Sequence, residues 1–252
     1  MRSGSLTTLA FGLTIFAATE VTATEIKILS IPFKAPLDQI GPSFERETGH
    51  KLLVKYAPSA PLLQQIELGE PFDVVLIFPK LVEELIKQRK VQADSRVDIA
   101  RAGLGVAVKR GAAKPNIRST EEFKQVLLRS KSIAYAAQGP SGVYLVGLLD
   151  RLGVAQDVKP KLHPMGAGSL VVGPVARGEA EIGIVSIPFI LAEPGAELAA
   201  PLPSELQDYV HYSSGIGSSA HNADAAKSFI MYLRQPKSIE VMKSNGLEAD
   251  AE

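Results

Sequence analysis

The side chains best suited to chemistry in this chain are hydroxyls standing just ahead of helical patterns. Ser30 precedes the loop Ile31-Pro32-Phe33-Lys34, Ser59 opens the run Ser59-Ala60-Pro61-Leu62, and Ser141 lies between Pro140 and Gly142. The first turn of a helix leaves amide donors without intrahelical partners and carries the positive end of the helix dipole, so such a loop holds a carboxylate or oxyanion without any basic side chain. Serine at a helix start also serves as a plain N-cap, and one loop can accommodate both roles. The turn Gly166-Ala167-Gly168-Ser169 offers further amides facing the same cleft. No lysine-serine pair follows it, which argues against a nucleotide-phosphate loop.

Lys34 is the one charged residue of the first loop and could pair with a carboxylate at the cleft mouth. The four histidines, His50, His163, His211 and His221, are scattered, without metal-ligand spacing or a matched serine and acid. Neither a metal nor a cofactor is therefore expected. A double-bond shift would need a base and a group that stabilises an extended carboxylate anion, roles open to Lys34 or Tyr144. The chain has no cysteine, which excludes disulfides, thiolate metal sites and cysteine nucleophiles. Its 27 basic and 27 acidic residues are well mixed, so no field exists to hold nucleic acid. Tryptophan is absent and aromatics are few, which argues against a sugar cleft built on stacked rings.

The elements that must position these residues alternate. Glu25 to Ser30 and Lys51 to Tyr56 read as strands, each followed by a loop and a helical pattern, and Asp73 to Phe78 is an apolar run suited to a parallel strand covered on both faces. Such alternation predicts an α/β architecture with ligands beyond the strand C-termini, where the loops at 31–34, 58–61 and 78–80 share one rim. Ala102 to Lys109 reads as the strand that crosses into a second lobe. Thr120 to Ser130 and Val143 to Leu152 are helical there, with a strand at Ser132 to Ala136 between them, and Leu170 to Arg177 leads into a buried strand at Glu181 to Ser186. Tyr209 to Ser218 returns as a strand, followed by helices at Ala223 to Leu233 and Pro236 to Asn245.

At the start, Arg2, the apolar stretch Leu6 to Ala18 and Val21-Thr22-Ala23 have the order of a signal peptide cleaved after Ala23. The apolar stretch, about 13 residues, is short of the roughly 20 a spanning helix needs. The expected organisation is a signal peptide at 1–23, the first part of lobe 1 at 24–103, lobe 2 at 104–208, and a return to lobe 1 at 209–252. The mature protein is expected in the periplasm without a transmembrane anchor.

Phe44-Glu45-Arg46-Glu47-Thr48-Gly49 ahead of a strand, Gln64 through Val75, Ala176 through Val185, and Tyr232-Leu233 with Pro236 and Gly246 all resemble periplasmic molybdate-binding proteins, in order and over nearly the whole of 24–252. The resemblance implies a type II periplasmic-binding-protein fold: α/β and two-lobed, each lobe a mostly parallel sheet flanked by helices, with two hinge crossings. It also implies a small anionic ligand, either an oxyanion or a di- or tricarboxylate, and an ABC permease in the inner membrane as partner. The family's pocket uses a hydroxyl in each of the first two loops, backbone amides opposite, and a tyrosine from lobe two. By that resemblance Ser59 matches the second loop, and Ser141 with Gly142 matches the amide position. Pro32 stands where the first-loop serine falls, with Ser30 as the nearby hydroxyl, and Ser186 stands where the tyrosine falls. These departures imply a larger or differently shaped ligand than a tetrahedral oxyanion. The runs Gly105-Val106-Ala107-Val108 and Pro201 through Gln207 resemble the branch that includes aconitate isomerase. Interconversion of trans- and cis-aconitate is thus the alternative to plain binding.

Overall fold

The computed structural model describes residues 23–249, so the expected signal peptide, Ala23 apart, lies outside the described residues. The chain begins with β1 (Glu25–Ser30), α1 (Lys34–Thr48), β2 (Lys51–Tyr56), α2 (Ser59–Glu67), β3 (Val74–Ile77) and α3 (Pro79–Lys87). Local sequence explains these elements. Leu37, Ile40 and Phe44 recur at helical spacing and form the buried stripe of α1, which ends at Gly49 in the left-handed conformation. Every residue of β3 is buried, and Pro79 occupies the start of α3, where its missing N–H costs nothing.

A long strand, β4 (Val97–Lys109), follows, then α4 (Thr120–Arg129), β5 (Ile133–Ala136), α5 (Pro140–Arg151), α6 (Ala155–Val158), β6 (Leu162–Met165) and α7 (Val172–Arg177). The chain continues through β7 (Ile182–Ser186), α8 (Ile187–Leu191), β8 (Ala196–Pro201), β9 (Tyr209–Ile216), α9 (Ala223–Leu233) and α10 (Pro236–Ser244). Strand order is β2-β1-β3-β9-β4-β7-β5-β6, with β8 also paired to β4.

β4 joins the two halves by changing partners midway. From Val97 to Gly103 it pairs with β9, and from Leu104 onward it pairs with β7 and β8. On one side β1, β2 and β3 are parallel and only β9 opposes them; on the other β5, β6 and β7 are parallel. The C-terminal ends of each parallel set therefore share an edge, and the loops after them form two rims. At the switch of partners the Gln207 side chain takes the place of a neighbouring strand: Oε1 accepts from the Leu104 amide at 2.7 Å, and Nε2 donates to the Leu104 carbonyl at 3.1 Å.

Four elements, α6, β6, α8 and β8, went unforeseen in the sequence. β6 is a half-exposed edge strand containing Pro164, β8 is alanine-rich, and α8 is only five residues long. None carries a periodicity that a window could detect. β4 also starts at Val97, earlier than the expected Ala102, because the β9 ladder extends it.

Candidate functional site

The two rims enclose a cavity of about 270 Å³. One wall comprises Ile31 and Pro32 after β1, Pro58 to Pro61 after β2, Phe78 after β3, and Val210 of β9. The opposite wall comprises Gln138 to Ser141 after β5, Gly166 to Leu170 after β6, and Ser186 with Phe189 where β7 passes into α8. α2, α3 and α5 each begin at this cavity, with Pro58, Phe78 and Gly139 as N-caps that form no side-chain cap bond. Free first-turn amides and positive dipole ends thus converge on one space.

Among the described residues the wall carries no acidic, basic or histidine side chain. Its polar side chains are Ser59, Gln138, Ser141, Ser169 and Ser186, set among prolines, Phe78, Phe189, Leu170 and Val210. An anion here would be held by hydroxyl and amide dipoles, without a counter-charge to desolvate.

Pro32, Ser59, Ser141, Gly168, Ser169 and Ser186 are brought together on this wall. Ser59 and Ser141 are not N-caps, since those positions belong to Pro58 and Gly139, so the reading of both serines as plain caps does not apply. Gly139 sits at φ 105°, which only glycine adopts without strain, and so sets the entry of α5 into the wall.

The other four residues singled out in the sequence lie elsewhere. Ser30 is fully buried and donates to its neighbour's carbonyl, Ile31 O, at 2.6 Å. Gly142 stands behind the wall. A Cβ there would lie 1.4 Å from the Ala136 carbonyl oxygen, so its smallness serves the packing of α5 on β5. The Lys34 side chain is 67% exposed and pairs with Asp38 at 2.6 Å. It borders a separate hollow of about 210 Å³ that shares Pro32, Ser169 and Phe189 with the main cavity. The Tyr144 hydroxyl donates to Leu206 O at 2.8 Å and accepts from Arg151 Nη2 at 2.9 Å, tying α5 to the segment before β9.

Sequence reasoning reached Phe78 only as part of the 78–80 loop on the rim, and it missed Gln138, Phe189 and Val210. Phe78 and Phe189 had a signal, an aromatic beside a helix-starting proline at a strand end (Phe78-Pro79 and Pro188-Phe189). It also missed Tyr212, whose ring lies 5.3 Å from Phe33 and 6.1 Å from Phe78, centre to centre. Burial pushes the Tyr212 hydroxyl up to about 12, and the neighbouring Ser186 side chain opposes that rise. Among the described residues no cluster of histidine and carboxylate side chains could hold a metal ion.

Two rims of strand ends around an uncharged, amide-rich cavity are the arrangement of a solute-binding α/β fold. The chain belongs to the bacterial extracellular solute-binding protein family, whose model matches residues 28–248. It is 30% identical to a Pseudomonas protein named aconitate isomerase, over 96% of each chain. It is 28% identical to the molybdate-binding protein ModA of Azotobacter vinelandii, over 89% of this chain and 90% of the relative. The solved structure of the Azotobacter vinelandii periplasmic molybdate-binding protein superposes with a TM-score of 0.74 at 21% identity, covering 90% of this chain and all of the other. A sulfate-binding protein from Mycobacterium tuberculosis gives 0.72 at 15%, covering 90% of this chain and 87% of the other. Among the described residues no helix is long and apolar enough to cross a membrane.

Proposed function

We propose that this protein is a receptor that captures a small carboxylate-bearing anion in the cavity between the rims and delivers it to an ABC permease in the inner membrane. The observation that carries this reading is the wall itself, which supplies hydroxyl and amide donors but no side chain able to take up or release a proton near neutral pH. Such a wall suits holding an anion better than moving its protons. Size favours a polycarboxylate over a tetrahedral oxyanion. At roughly 30 Å³ per water molecule, the cavity corresponds to about nine waters, room for a ligand of about ten heavy atoms. In this reading residues 1–23 are a cleaved leader, the protein acts in the periplasm, and 104–208 moves against 24–103 and 209–252 about the β4 crossing.

The test is a thermal-shift and calorimetric series with trans-aconitate, cis-aconitate, citrate, molybdate, tungstate and sulfate. A ligand at 100 times its dissociation constant stabilises the native state by about 2.7 kcal/mol. We expect a polycarboxylate to shift the melting temperature and molybdate to do so weakly. Submicromolar molybdate binding would refute the size argument.

A second reading rests on the 30% identity to the protein named aconitate isomerase. Incubation with trans-aconitate in deuterated water, followed by proton NMR, separates the two. A receptor returns trans-aconitate unchanged, whereas appearance of cis-aconitate would establish catalysis and require a proton-transfer group to reach the cavity upon closure.

A further inference from the structure

We infer that Phe189 sets the size limit of the captured anion, its ring standing as the partition between the cavity and the adjoining hollow. The inference rests on the proposal that the cavity holds the ligand.

Three residues border both spaces, Pro32 from the first rim and Ser169 and Phe189 from the second. A residue that lines two adjoining spaces stands between them. Pro32 is a small ring closed on its own backbone and Ser169 carries a single hydroxyl, so the bulk of the division is the Phe189 side chain. Its ring lies over Gly168, where a Cβ would come within 2.9 Å of ring Cε2 and 3.3 Å of Cδ2, closer than atoms in ordinary contact. Glycine at 168 thus leaves the floor on which the ring rests. α8 is held from behind as well. Its Ile190 is fully buried, and the turn after α10 approaches so closely that a Cβ at Gly246 would meet Ile187 Cγ2 at 2.8 Å and Leu191 Cδ1 at 2.9 Å. The ring is therefore carried on a packed support and not on a loose loop.

The partition divides two spaces of different character. The cavity on one side, about 270 Å³, is bordered among the described residues by no charged side chain, whereas the hollow on the other, about 210 Å³, is bordered by Lys34 and Glu193. An anion longer than the cavity would have to press a carboxylate against the apolar ring, where it loses water and gains no donor. Without the ring the spaces join, and a further carboxylate gains both room and the Lys34 ammonium beyond it. Phe189 in this way selects by length among polycarboxylates that the donors of the wall would hold alike.

The test compares trans-aconitate with the longer butanetetracarboxylate by calorimetry, in the unaltered chain and in Phe189→Ala. The ratio of the two dissociation constants should move about tenfold or more toward the longer anion in the variant, the effect of giving a tight pocket room for a small group. Phe189→Leu, which trims only the far edge of the ring, takes the place of Phe189→Ala throughout if the alanine protein fails to fold. An unchanged ratio in the folded variant would overturn the inference, as would an unaltered chain that binds the longer anion as tightly as trans-aconitate. A second arm needs no ligand. Gly168→Ala, read by thermal unfolding, should cost about 1–4 °C more in the unaltered chain than in Phe189→Ala, where the added methyl meets no ring. Equal effects would overturn the placement of the ring over Gly168, and with it the partition. If the unaltered chain bound neither anion while the melting cycle showed coupling, the ligand reading above would be what failed, and the size limit would fall with it although the ring's place stood.

Discussion

Two glycines of α5 should respond oppositely to the same substitution. At Gly142 a Cβ would lie 1.4 Å from the Ala136 carbonyl oxygen and 2.6 Å from its carbon, whereas at Gly147 nothing lies within 4 Å. Ordinary contact would require the N-terminal turn of α5 to retreat from β5 by about 2 Å, and a well-packed interior resists such a shift. Overpacking of this severity lies at the upper end of point-mutant effects, roughly 3–5 kcal/mol. For a chain of this size that lowers the melting temperature by roughly 6–20 °C. Gly147→Ala, on an exposed helical position, exchanges backbone freedom for helix propensity and should gain about 0.5–1 kcal/mol, raising melting by about 1–4 °C. Thermal unfolding followed by circular dichroism reads both. A Gly142→Ala protein melting within 1 °C or so of the unaltered chain would refute the packing argument and return Gly142 to consideration as a ligand contact.

Ser59→Ala and Ser141→Ala should each weaken the captured anion by about 1–3 kcal/mol in calorimetry, since each removes a hydrogen bond to a charged group; unchanged affinity in both would place the site elsewhere. Gln207→Leu strips Leu104, 1% exposed, of its side-chain partners on both amide and carbonyl and should cost about 1–3 kcal/mol in denaturant unfolding, with a null result showing that water replaces them. Acid should destabilise the protein through Glu45, held below its ordinary 4.5 first by the Leu52 amide, which donates to Oε1 at 2.8 Å, and then by Lys51, with burial opposing. A lowered carboxylate contributes stability above its unfolded value and loses it as pH falls through the folded one, so melting should hold level from neutral down to about pH 5 and decline below 4.5. Glu45→Gln should remove part of that decline, and an unchanged acid limb would assign the loss to other groups.

The α/β alternation was legible because buried strands and amphipathic helices write their periodicity locally: the all-apolar β3 and the Leu37-Ile40-Phe44 stripe are visible without any partner. The rims followed from that alternation, and with them Ser59 and Ser141 as cavity residues. Sequence could not show that Tyr144 serves Leu206, 62 residues on, because that partner is settled by tertiary packing; the Lys34–Asp38 pair, at i and i+4 on α1, and the bond from Ser30 to its neighbour Ile31 are local and were left unweighed. Nor could it show that β4 changes partners between Gly103 and Leu104, which sets β9 and β7 on the same strand from opposite sides of the crossing. Local pattern is a property of neighbours along the chain and so determined the elements. The cavity belongs to strand ends distant in sequence, and only their register in the tertiary structure decided which side chains face it.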